Sequence, residues 1–256
     1  SFEPVCSAMR TLLPRNDEAW ALLRRTDQAN RKLALFIHGF KGNYLTTWGT
    51  LPDLFEKEAD KDEDFADWDF LFLGYDTTAV QTYLDISKLI ITEWNKAATG
   101  QRPYNQPYEK LALFGHSLGT LGIRQLLCAW AEQPKTMHGC IHSITLFGSP
   151  LNGSSLASWF GWSGGPIGDA LKPKNPQLRM LKSWSASAYL RQQWPPIRLI
   201  LGLDDQVVGH EYDELIQWDG DEKPSIITNF DHSTMVKPKT WQSAVVDYVG
   251  QGLRAR

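Results

Sequence analysis

The sequence predicts an α/β protein: a mostly parallel central sheet with helices on both faces. Short apolar runs without polar alternation, such as Leu33-Ala34-Leu35-Phe36-Ile37 and Leu111-Ala112-Leu113-Phe114, fit strands buried on both sides. Stretches with helical spacing separate these runs, the order expected of repeated βα units. The chain has 256 residues, 42% of them hydrophobic, enough to bury one core without disulfides or metal. A single domain over residues 1–256 is therefore expected.

Taken in order, Asp17 to Arg25, entered through Pro14, reads as a short helix. Leu33 to Ile37 is the first strand, followed by a helix from Thr50 to Glu58 and a strand from Asp69 to Gly74. Tyr83 to Ala98 is the next helix, and Leu111 to Phe114 the next strand. Leu118 to Glu132 is helical and Ile141 to Phe147 extended. After a long excursion come strands at Ile197 to Leu201 and Ser225 to Thr228, then a closing helix from Lys239 to Gln251. Asp53 to Asp69 contains nine carboxylates, and Asp60, Asp62 and Asp64 have the opening spacing of a calcium loop. Such a loop needs Gly at its sixth position and Glu at its twelfth; Phe65 and Leu71 stand there, so a solvated acidic loop is expected instead.

Gly115-His116-Ser117-Leu118-Gly119 lies where a strand gives way to a helix. A serine between two glycines at such a junction is a nucleophile elbow. The turn is so tight that side chains two residues either side of the serine would crowd each other, and glycine relieves this while the serine takes a strained angle. A serine hydroxyl is a weak nucleophile at neutral pH, so an imidazole must accept its proton. Six histidines are present: His38, His116, His138, His142, His210 and His232. His232, in a loop after the last strand, fits the chain order nucleophile, acid, histidine; His210 is the alternative. His116 is expected to point away from Ser117. His138 and His142 are read as solvated or structural. The acid belongs after Ile197 to Leu201, where Asp204 and Asp205 compete. A carboxylate there fixes the imidazole tautomer and stabilises the imidazolium.

A negative oxygen on the tetrahedral intermediate needs backbone donors. One is the N–H of Leu118, at a helix start whose dipole also favours negative charge. The loop after Leu33 to Ile37, through His38-Gly39-Phe40, offers the N–H of Phe40 as the second.

Composition excludes other functions. The net charge is −3, so there is no basic footprint for nucleic acid. Cys6, Cys128 and Cys140 cannot all pair and lack metal-ligand spacing, which points to a reducing, cytoplasmic setting. No apolar run is long enough to cross a bilayer, and no signal peptide is visible at the start. No metal or organic cofactor is expected.

The stretches Phe36-Ile37-His38-Gly39-Phe40, Thr47-Trp48, Phe72 to Thr77, Gly115 to Gly119, Phe147-Gly148-Ser149-Pro150 and His232 to Pro238 together resemble the α/β-hydrolases. Within them the chain is similar to the serine-esterase group that includes the GPI inositol-deacylase and related lipase-like proteins, across about residues 33 to 249. The resemblance implies an α/β-hydrolase fold acting on an ester, thioester or lipid. It favours Asp205 over Asp204, because Gly202, Asp205 and Val208 match the glycine–aspartate–valine spacing that marks the acid. It also implies a cap over residues 151–196, after Ile141 to Phe147, the sixth strand of the family's order. Trp159 and Trp162 there either line an acyl pocket or pack the cap onto the body. Asn152 replaces the histidine common after that strand. The antiparallel hairpin that opens many larger members is expected to be reduced or missing, since about thirty residues precede the first confident strand.

The leading expectation is a serine hydrolase cleaving lipid, phospholipid or small acyl esters through an acyl-enzyme on Ser117. The alternative is a partner-gated hydrolase effector or interaction module excised from a larger protein. A tryptophan-rich cap leaves association with a membrane surface open, and oligomeric state is not legible.

Overall fold

The computed structural model describes residues 10–14, 20–131, 139–153, 165–185, 187, 195, 197–208 and 225–254. Eight strands form one sheet: β1 (Arg10–Pro14), β2 (Trp20–Arg25), β3 (Lys32–Ile37), β4 (Trp68–Leu73), β5 (Lys110–His116), β6 (Ile141–Phe147), β7 (Ile197–Gly202) and β8 (Ser225–Ile227). Their order is β1-β2-β4-β3-β5-β6-β7-β8. From β4 to β8 neighbouring strands run parallel; β1 and β2 join antiparallel.

Two sequence expectations fail at the amino-terminal edge. The helix expected over Asp17 to Arg25 gives way to a strand at Trp20–Arg25, paired with β4 from Trp20↔Leu73 to Leu23↔Phe70; residues 17–19 lie outside the described part. The opening hairpin is likewise present, as β1 against β2. A four-residue apolar run carries no clear period, and tertiary pairing overrides the helix preference of Ala and Leu. Once paired, the run alternates between the two faces of the sheet. Trp20 and Leu22 enter one core cluster, Ala21 and Leu23 the other.

The α-helices among the described residues are α1 (Leu51–Glu58), α2 (Tyr83–Ala98), α3 (Leu118–Ala131), α4 (Gly165–Ala170), α5 (Pro176–Ser185) and α6 (Ala244–Leu253). Asp85 anchors the start of α2, its Oδ2 accepting from the N–H groups of Thr82 at 3.0 Å and Gln81 at 2.9 Å. The final helix begins later than Lys239 because Ser243 Oγ turns the chain first, accepting from the N–H groups of Lys239 and Thr240.

The sheet's two faces are chemically different. On the α2–α3 face the core is mainly aliphatic, with Leu33, Leu35, Leu71, Leu111 and Leu113 beneath Ile86, Ile90 and Leu121. Gly122 lets α2 and α3 approach closely: a Cβ there would lie 2.3 Å from Ile86 Cγ2. On the other face, facing residues of α1 and α6, the core is aromatic. Phe36 stacks on Phe72 at 4.8 Å and on Phe114 at 4.7 Å, with Trp48 edge-on at 5.2 Å. The acidic stretch is not merely solvated. Asp64 pairs with Arg254 at 2.8 Å and Asp62 accepts from the Trp241 indole at 3.3 Å, tying the carboxyl end of the chain down.

Between β6 and β7, α4 and α5 add Ile167, Leu178 and Leu181 to the α2–α3 core. Residues 154–164, which carry Trp159 and Trp162, lie outside the described part, as does most of 186–196. No helix among the described residues is long and apolar enough to cross a membrane.

Parallel strands deliver their carboxyl ends to one edge of the sheet. The loops after β3, β5, β7 and β8 therefore meet there, the usual position of a site in an open α/β sheet.

Candidate active site

Ser117 follows β5 with φ 52, a left-handed backbone that a non-glycine residue adopts at a cost. The conformation is held from both sides. Ser117 N–H donates to the Phe147 carbonyl at 2.9 Å, and its own carbonyl accepts from Thr120 N–H at 3.0 Å and Thr120 Oγ1 at 2.6 Å. The flanking glycines also leave room for neighbouring elements. A Cβ on Gly119 would lie 2.4 Å from the Ile37 carbonyl oxygen, and one on Gly115 would lie 2.8 Å from Ile123 Cδ1. A side chain at either position would therefore crowd β3 or α3.

His232 reaches Ser117 from the loop after β8. Its Nε2 lies 2.8 Å from Ser117 Oγ, and its Nδ1 lies 2.8 Å from Asp205 Oδ2. With Nδ1–H donating to the carboxylate, Nε2 is left to accept the serine proton. The other carboxylate oxygen of Asp205 accepts from the N–H groups of Val207 at 2.9 Å and Val208 at 3.1 Å. Burial opposes the charge on Asp205. The His232 contact and these two N–H donors outweigh burial, so its pKa stays below the ordinary carboxylate value. Ser117, Asp205 and His232 are all buried. Asp204 is exposed and makes no such contact; its N–H donates to the Phe230 carbonyl at 3.2 Å. His210 lies outside the described residues.

His116 has a place that its sequence neighbours did not reveal. Its ring packs on that of His232, centroids 4.9 Å apart, and its Nε2–H donates to the His232 carbonyl at 2.7 Å. Burial, reinforced by the neighbouring His232, lowers its pKa to about 3, so it is neutral at ordinary pH. Gly148, with φ +57, leaves room for the base: a Cβ there would lie 3.2 Å from His232 Cε1. The only advance signal for His116 was its position beside the elbow serine.

The opposite flank is made of backbone. A Cβ on Gly39 would lie 2.7 Å from Ser117 Cβ, so the β3 loop runs directly against the serine. Gly42 N–H donates to the Gly39 carbonyl at 3.0 Å, closing a turn that contains Phe40 and Lys41. His38 braces this turn from behind. Its Nδ1–H donates to the Gly39 carbonyl at 2.8 Å, while its Nε2 accepts from Tyr75 N–H at 3.2 Å. Tyr75 stacks on the His38 ring at 4.3 Å and its hydroxyl donates to the His38 carbonyl at 2.7 Å. Burial lowers the His38 pKa, keeping the ring in the neutral form that this pattern requires. Phe40 lines the cleft with Ser117, and Leu118 opens α3 directly after it.

The cleft over Ser117 encloses ≈ 250 Å³. A hydroxyl aligned with an imidazole nitrogen, itself held by a carboxylate, is equipped to attack an electrophilic carbon. Among the described residues no group of three or more His, Cys, Asp or Glu side chains is gathered as metal ligands.

Comparison with known proteins bears on this geometry. Residues 27–158, slightly more than half of the chain, match the family described as "Putative serine esterase (DUF676)". Comparison with curated protein sequences gives no match. Among solved structures, the chain is similar to the mature form of Bacillus licheniformis lipase BlEst2, with TM-score 0.59 and 13% identity over 92% of this chain and 98% of that one. It is similar to carboxylesterase CesB from Bacillus subtilis, with TM-score 0.53 and 11% identity over 96% and 90% of the two chains. Phospholipase PlaB from Legionella pneumophila gives TM-score 0.51 and 18% identity over 67% of this chain; the match spans only 39% of the phospholipase. At these identities the likeness is one of fold. With the family match covering half its length and an α/β-hydrolase sheet beneath the site, the chain belongs to this serine esterase family.

Proposed function

We propose that the protein hydrolyses carboxylic esters through an acyl-enzyme on Ser117. The observation that carries this reading is the unbroken line from Ser117 Oγ through His232 to Asp205, two contacts of 2.8 Å each. Ser117 Oγ bonds to the ester carbonyl carbon as its proton passes to His232 Nε2. The N–H groups of Phe40 and Leu118 receive the negative oxygen, an arrangement worth roughly 3–4 kcal/mol per donor in other hydrolases. The bond to the alcohol then breaks, and His232 returns the proton to the departing oxygen. Water, activated by the same imidazole, cleaves the acyl–serine bond and releases the carboxylic acid. Asp205 stays ionised and holds the imidazole in the required tautomer.

The test is Ser117→Ala. It abolishes turnover of p-nitrophenyl acyl esters and labelling by a fluorophosphonate while the circular dichroism and melting temperature stay near those of the parent. Equal labelling of the alanine variant removes Ser117 from the mechanism.

A further inference from the structure

The Ser117 cleft reverses the sign of the chain that carries it. Acidic side chains outnumber basic ones, 29 to 26. Yet the described residues lining the cleft include two lysines, Lys41 and Lys237, and no carboxylate. Two acids of this flank, Asp205 and Asp231, are otherwise engaged. Asp205 is held by His232 and two backbone N–H groups. Asp231 accepts from Ser233 N–H at 2.9 Å, and from Thr234 N–H and Oγ1 at 2.8 Å each.

Both lysines are set in place by their backbones. Lys237 ends the short turn Thr234–Val236, its N–H donating to the Thr234 carbonyl at 3.0 Å. Its Cβ and Cγ pack so tightly on Gly49 that a Cβ there would lie 3.1 Å from each. Thr50 Oγ1 fixes the next residue by donating to the Pro238 carbonyl at 2.5 Å. Lys41, on the oxyanion-loop flank, has φ 53 and donates its N–H to Thr77 Oγ1 at 3.2 Å. The hydroxyl-bearing Thr46 and Ser233 share the cleft lining with them.

Position within the reaction decides what these charges meet. His232 must protonate the departing alcohol, so the alcohol leaves on the His232 side of the serine. Lys237 belongs to the same segment as His232 and lines the same cleft. A phosphate carries about −1.5 to −2 charge near neutral pH, the charge two ammonium groups balance. Lysine serves such a group as a point charge. Resting on the ester-hydrolase reading above, we propose that the preferred substrate is a carboxylic ester whose leaving alcohol bears a phosphate group, received by Lys237 with Lys41.

The test compares two esters with the same acyl group, 1-butyrylglycerol 3-phosphate and 1-butyrylglycerol, by butyrate release at low ionic strength. The wild-type protein prefers the phosphate ester by about tenfold or more in kcat/KM, and that preference shrinks as salt screens the cleft. Lys237→Met lowers the ratio of the two kcat/KM values by about tenfold, chiefly through KM, Lys237→Arg retains most of it, and Lys41→Met lowers it less. A wild-type ratio near one, or equal losses on both esters in Lys237→Met, overturns the proposal while leaving an active esterase. Turnover of neither ester, with Ser117 unlabelled by fluorophosphonate, removes the hydrolase reading and this one with it.

Discussion

On one flank of Ser117 stand titratable side chains, His232 and Asp205 from the β7 and β8 loops and His116 from the end of β5, joined through 2.7–2.8 Å hydrogen bonds. On the β3 flank the closest contact to the serine is glycine main chain, and the His38 imidazole is kept neutral behind the loop. In the proposed reaction the first flank moves a proton and must change charge during turnover. The second supplies fixed dipoles, which act best when nothing about them changes. The contrast implies that residue identity matters on one side and backbone position on the other.

The largest expected effect follows from removing the charge that holds the base. Asp205→Asn leaves the shape of the site intact but favours the wrong imidazole tautomer, and kcat on a p-nitrophenyl ester falls by about 10⁴. A loss under tenfold would mean that His232 does not depend on Asp205. On the other flank, Gly39→Val forces the loop away from Ser117, because even a Cβ would come within 2.7 Å of the serine Cβ. We expect kcat to drop by roughly 10²–10³ while the circular dichroism spectrum stays native. If Gly39→Val and Asp205→Asn both left activity unchanged, the division between flanks would collapse.

His116→Phe preserves ring packing on His232 but removes the hydrogen bond to its carbonyl. A loss of about tenfold in kcat/KM is expected, with a change in the pH–rate profile that a purely structural role would not give. His116 also makes stability depend on pH. Folded, it titrates near about 3; unfolded, near the ordinary histidine value of about 6.5. The unfolded chain therefore binds more protons between these values, so the stabilisation is full above about pH 6.5 and is lost as pH falls toward 3. His38, also lowered by burial, acts in the same direction. Urea midpoints measured from pH 7 to pH 4 should fall for the parent and fall less steeply for His116→Phe. The smallest effect is that of Tyr75→Phe, which deletes one hydrogen bond to the His38 carbonyl and costs about 1 kcal/mol by urea unfolding.

Much of the site was legible because its chemistry leaves local marks. Glycines flanking a serine and a histidine after the last strand are each visible within a few residues. The buried parallel strands were equally clear in short apolar runs such as Leu33 to Ile37 and Leu111 to Phe114. The errors fell where neighbours in space decide. Trp20-Ala21-Leu22-Leu23 became a strand only because β4 offered an edge to pair with. The acids at Asp62 and Asp64 looked solvated until Trp241 and Arg254 closed on them from the far end of the chain.

A candidate serine, an acid among two adjacent aspartates and a histidine, in that order along the chain, were legible in the sequence alone, since covalent neighbours and composition suffice to state them. Tertiary structure decided the rest: which of two adjacent aspartates faces the base, what the elbow glycines avoid, and how His116 comes to support His232. Those outcomes depend on distances across the fold, between residues as far apart in the chain as His116 and His232. Such distances are fixed only when the parallel strands bring their carboxyl ends to one edge.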